Sequence, residues 1–188
     1  MSEDIHSVLV VSKDSKISSQ ISSMLIAPLF ETEITNDFNE ARRKCGERVY
    51  NIVIVDYADG EGVDFATDIS QSTSTILLLT PPEHFDEISY KVESFGILTT
   101  TKPFDQFFFY NMIKVAIAVQ YKIEVFSSQN VKLKIKMEEI RLVNRAKMLV
   151  MQFLSFTEEQ AHHYIEKEAM DRSMKKTEIA NEIIKKYG

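Results

Sequence analysis

The chain has 188 residues, 44% hydrophobic and 27% charged, enough to bury one large or two small cores without staples. No apolar run approaches the ~20 residues of a membrane span, and the start lacks a basic segment leading into an apolar one, so neither membrane insertion nor secretion is expected. A lone Cys45 excludes an internal disulfide and fits a reducing cytoplasm. The net charge of −6 is uneven: residues 1–130 carry 10 Lys and Arg against 19 Asp and Glu, residues 131–188 carry 12 against 9. A polyanionic partner is expected to meet the back of the chain.

In chain order, Val8 to Val11, Asn51 to Val55 and Ile76 to Leu79 are short apolar runs suited to strands buried on both faces. Thr32 to Thr35 and Ile97 to Thr101 are weaker strands. Helical patterns lie between them. Ile17, Ile21, Met24 and Leu25 form one stripe; Asp37 caps a second carrying Phe38, Ala41, Cys45 and Val49; Glu83 to Phe95 forms a third after Pro81-Pro82. This alternation predicts an α/β flavodoxin-like (βα)5 domain over residues 1–120, with its working groups at the carboxyl ends of the strands.

Those ends carry Ser12-Lys13-Asp14, Asp56, Thr80 and Lys102-Pro103. With these residues the front of the chain resembles a response-regulator receiver domain. The resemblance implies Asp56 as phosphoacceptor, Thr80 and Lys102 as contacts to the phosphoryl oxygens, and a magnesium-binding acidic pair after the first strand. The pair is replaced by Ser12 and Lys13, with an acid only at Asp14, and Thr99 stands where an aromatic is common. Magnesium requires a hard oxygen cage. No cofactor is therefore expected, Asp14 and Asp56 being the only acids left for a metal, and Lys13 is expected to bring an ammonium towards Asp56. The front domain reads as a pseudo-receiver.

A long helix follows Pro103 and is expected to run to about Phe153 with no Gly or Pro inside it, roughly 60–75 Å at 1.5 Å per residue. Ala116, Val119, Ile123, Phe126, Asn130, Leu133, Met137 and Ile140 recur at alternating steps of three and four, the seam of a coiled coil over residues 113–142. Asn130 at an a position favours a parallel two-stranded register. Lys134, Lys136 and Arg141 on the flanks tolerate a homodimer rather than drive it.

Beyond the seam, Leu142, Val143, Ala146, Leu149, Val150, Phe153 and Leu154 widen the apolar face. Thr157 to Gln160 is a capping box opening a second helix, and Ser173 is expected to cap a third, which makes an all-α three-helix bundle over residues 138–188. The stretch Arg145-Ala146-Lys147, Leu149, Met151, the Thr157 box, Glu168-Ala169-Met170, Ser173 and Ile179-Ala180 resembles the ANTAR domain, an RNA-binding antiterminator module. Met148 stands where that family usually has Gly. The resemblance brings Arg145 and Lys147 forward as RNA contacts. Charge alone adds Arg172, Lys175, Lys176 and Lys185, with Tyr164 and Tyr187 as stacking groups.

His162 and Glu166 share the i,i+4 spacing of a metal pair but have no third ligand nearby in sequence. Cys45 lies on an apolar stripe, and no nucleophile elbow or phosphate loop occurs, so no enzyme is expected. Three readings stay open. One is a cytoplasmic antitermination regulator binding hairpin loops in leader transcripts, its front domain answering a regulatory protein. The second is a response regulator phosphorylated on Asp56 by a histidine kinase. The third is a dimeric scaffold without RNA.

Overall fold

The computed structural model describes residues 5–188. Five strands, β1 (His6–Val11), β2 (Phe30–Thr35), β3 (Ile52–Asp56), β4 (Thr75–Thr80) and β5 (Leu98–Thr101), form one parallel sheet in the order β2-β1-β3-β4-β5. The three apolar runs become β1, β3 and β4. Leu9, Val53 and Leu78 face one layer and Val10, Ile54 and Leu77 the other, so the sheet is covered on both sides. The register puts Val11 opposite both Thr35 and Val55, which brings the ends of β1 and β3 together at Ser12 and Asp56.

Helices α1 (Ser15–Met24), α2 (Phe38–Glu47), α3 (Glu61–Asp68) and α4 (Phe85–Val92) connect the strands. Asp37 caps α2 as expected, its carboxylate accepting from the N–H groups of Asn39 and Glu40 at 2.7 and 2.8 Å. Val49 lies past the end of α2 and is exposed, so the stripe stops at the half-buried Cys45, whose thiol is pushed up by burial. The pattern from Glu83 to Phe95 is α4 flanked by two 3₁₀ turns, Pro82–His84 and Glu93–Phe95. Helix α3 has no counterpart among the expected elements. Its Val63, Phe65 and Ala66 are buried, but eight residues are too few for a helical period to stand out from sequence.

Helix α5 runs from Gln106 to Leu154. Its first turns belong to the front unit. Phe109, Ile113 and Ala116 are fully buried against β1, β3 and β4. Buried Gln120 accepts from the Thr75 N–H and hydroxyl at 3.1 and 3.0 Å. Ile113 and Ala116, at the head of the expected coil, are thus core residues, because the same apolar spacing serves a sheet as well as a partner helix.

The chain divides into compact units at Ser127/Ser128. In the second unit Ala146 and Val150 of α5 pack with Ala161, Ile165 and Ala169 of α6 (Glu158–Asp171) and with Ile179, Ala180 and Ile183 of α7 (Lys176–Tyr187). The capping box forms as expected. Thr157 Oγ1 accepts from the Gln160 N–H at 3.2 Å, and Gln160 Oε1 accepts from the Thr157 N–H at 2.9 Å. Ser173 does not cap α7. It sits at φ 52° in the preceding turn, and Lys175 begins the helix, its N–H donating to Glu178 at 2.8 Å.

Candidate functional site

Asp56 ends β3 almost fully buried. Both its oxygens are engaged. Lys102 Nζ donates to Oδ1 at 2.5 Å, and the Ser12 hydroxyl donates to Oδ2 at 3.0 Å. The β1–β3 register accounts for Ser12. Lys102 follows β5, its N–H donating to the Thr80 carbonyl at 2.8 Å. Asp56, Ser12 and Lys102 are thereby brought together from three strand ends.

The other expected members stand apart from this contact. Lys13 pairs with Glu61, which raises its pKa, and its ammonium lies 5.6 Å from the Phe38 ring centroid, so Lys102 and not Lys13 supplies the charge at Asp56. Asp14 is the N-cap of α1, accepting from the Lys16 N–H at 2.8 Å, a role open to any Asp one residue ahead of a helix. Thr80 is fully buried and directs its hydroxyl to the Thr100 carbonyl at 3.4 Å. Thr99 donates to the Ser89 hydroxyl at 3.0 Å. Over Asp56 lies a cavity of about 610 Å³, whose wall includes Asp59, Glu83 and His84 beside Lys13 and Lys102.

Several residues of this rim carried no sequence signal. Tyr57 packs against the His84 ring with centroids 5.4 Å apart. Ala58, Asp59 and Gly60 have φ of 43°, 56° and 95°, and the two non-glycines each hold a conformation that costs about 1–2 kcal/mol. The turn is held by the Tyr57 carbonyl, which accepts from the N–H groups of Gly60 and Gly62 at 3.0 Å each. Gly62 has no room for a side chain: a Cβ there would lie 1.9 Å from the Asp56 carbonyl oxygen. With only five glycines in the chain, the closely spaced Gly60 and Gly62 just after Asp56 were the available clue. Gly62→Ala is expected to destabilise the front unit by about 2–4 kcal/mol through forced displacement of the β3–α3 backbone. Urea unfolding measures this, and an unchanged midpoint would refute the close contact.

In the second unit the six expected RNA contacts differ in their partners. Arg172 makes a two-pronged pair with Glu182, at 2.6 and 2.8 Å, which raises the guanidinium pKa. Lys176 pairs with Glu166 and lowers the pKa of that carboxyl, while Lys147 pairs with Glu158 at 3.1 Å and is mostly covered. Arg145, Lys175 and Lys185 have no carboxylate partner among the described residues. Lys147, Lys175 and Lys176 line one cleft; Arg145, Arg172 and Lys185 are not part of its lining. Tyr164 and Tyr187 are committed to packing against Phe156 and Phe153. His162 contacts Glu166 at 3.3 Å, and among the described residues no group of three or more His, Cys, Asp or Glu is placed to hold a metal.

No helix among the described residues is long and apolar enough to cross a membrane. Residues 131–184 match the ANTAR domain family. No curated protein matches the chain. Solved structures share the fold of the front unit. The response regulator receiver domain protein (CheY-like) from Methanospirillum hungatei JF-1 is 20% identical, over 63% of this chain and 98% of its own, with a TM-score of 0.57. The response regulator receiver domain protein from Clostridium thermocellum is 19% identical, over 63% of this chain and 99% of its own, at 0.56. The signal receiver domain of an HD domain-containing protein from Pseudomonas fluorescens Pf-5 is 19% identical, over 65% and 93%, at 0.57. The chain therefore joins a domain with the fold of these receiver (CheY-like) domains to a segment, residues 131–184, that matches the ANTAR domain family.

Proposed function

We propose that the protein is a cytoplasmic, homodimeric RNA-binding regulator acting by transcription antitermination, and that its receiver-fold domain works without phosphorylation. The match of residues 131–184 to the ANTAR family carries the output half, since that domain implies RNA binding. The domain would take hairpin loops of leader transcripts, and a dimer would hold two such loops at once, gaining affinity from their tethering.

The input half rests on donor chemistry. Transfer of a phosphoryl group to a carboxylate relies on a cation that bridges phosphate and acceptor. Here Ser12 offers a neutral hydroxyl already donated to Asp56, Lys13 is a cation, and Asp14 is engaged at the start of α1. These groups do not fit magnesium's octahedral oxygen cage. Lys102 pairs directly with Asp56, which gives that carboxylate a cationic partner from the chain itself. A regulatory protein or small ligand acting on that surface is the expected input.

Two measurements test the two halves. Sequencing RNA that co-purifies with the full chain is expected to return leader hairpins; a sample without enriched RNA favours the scaffold reading. Acetyl phosphate with magnesium is expected to leave the intact mass unchanged, while Ser12→Asp with Lys13→Asp gains metal binding. An adduct on the wild type that disappears in Asp56→Asn would reinstate phosphorylation by a histidine kinase.

A further inference from the structure

We propose that the cleft between α5 and the α6–α7 pair seats one unstacked RNA base with its flanking phosphates, and that Asn144 reads the edge of that base. This rests on the RNA-binding reading and adds the place and mode of contact. The cleft encloses about 620 Å³, within the ~300–1,000 Å³ of small-ligand sites. All its lining residues fall within 131–184 and thus in the second unit.

Helix α5 contributes Lys136, Ile140, Val143, Asn144 and Lys147, positions three and four apart that share one face. Ile140 and Val143 make an apolar floor. The half-exposed ring of His162 stands at the wall, a group on which a base can stack once Tyr164 and Tyr187 are committed to the core. Lys136 and Lys175 have no carboxylate partner among the described residues, Lys147 and Lys176 line the cleft while paired with Glu158 and Glu166, and Glu139 is the one carboxylate in the lining. An apolar floor with cationic walls suits a base attached to phosphates. An amide such as Asn144 offers a donor and an acceptor side by side, the pairing that a base edge presents.

A second copy of the chain is the competing occupant, since Ile140 both ends the expected seam and opens the cleft. Its α5 would bring Lys134, Lys136 and Arg141 towards these lysines, and like charges disfavour that seating.

The test uses full-length protein and hairpins with randomised loops, the retained hairpins being measured by titration. Lys136→Ala with Lys175→Ala is expected to lower affinity at least ~tenfold through lost phosphate contacts, against less than ~threefold for Lys167→Ala on the outside of α6. His162→Ala is expected to cost at least ~fivefold. Asn144→Ala should reduce base preference at a single loop position from ~tenfold to within ~twofold. If the wild type binds and the cleft variants bind equally well, the cleft assignment falls and RNA binding stands. If the wild type retains no hairpin, both fall. Loss of affinity that tracks conversion to monomer in sedimentation gives the cleft to a second copy and overturns the proposal.

Discussion

Replacing Ile123 and Leu133 with lysine is expected to convert a dimer into a folded monomer. Every residue from 128 to 141 is exposed, and Phe126, Leu133, Met137 and Ile140 keep 53, 59, 55 and 52% of their surface open to solvent. These side chains lie at the seam spacing, so a second helix would bury them together, at roughly 25 cal/mol per Å² of apolar surface. Val119 and Ile123 are already partly covered, which places the open part of the seam from Phe126 to Ile140. Asn130 is exposed within it, where two amides of a parallel pair would meet. An ammonium group at position 133 left unpaired inside such an interface, with a second at position 123 on its edge, costs several kcal/mol, enough to raise the dissociation constant by at least ~1,000-fold. Sedimentation reports the mass and circular dichroism the retained fold. A wild-type chain that is monomeric at tens of micromolar removes the dimer.

Lys147→Glu is expected to abolish hairpin binding and also to loosen the bundle. Lys147 is mostly covered and pairs with Glu158 in the first turn of α6, so a glutamate there puts two carboxylates side by side. Removing the pair and adding repulsion is expected to cost about 1–2 kcal/mol. The reversal Lys147→Glu with Glu158→Lys separates the two effects. It should restore thermal stability through the swapped pair, yet leave RNA affinity at least ~tenfold below wild type, because a phosphate contact in the cleft has become a carboxylate. Recovery of both would make Lys147 a structural residue only.

Much of the fold was legible in the chain because its signals are local. The runs at Val8, Ile52 and Ile76 are wholly apolar, as buried parallel strands require, and Asp37 and the Thr157 box mark helix starts through bonds that span two or three residues. The front fold and the ANTAR match follow from such patterns. Helix α3 was lost because its period was too short to register. The tertiary structure decided where side chains point and what they meet. It brought Lys102 to Asp56, turned Lys13 to Glu61 and aimed Thr80 at Thr100. It also drew Ile113 and Ala116 into the sheet's core while leaving Leu133 and Met137 open. Partners of this kind lie tens of residues away, and their choice depends on register and packing that no local spacing encodes.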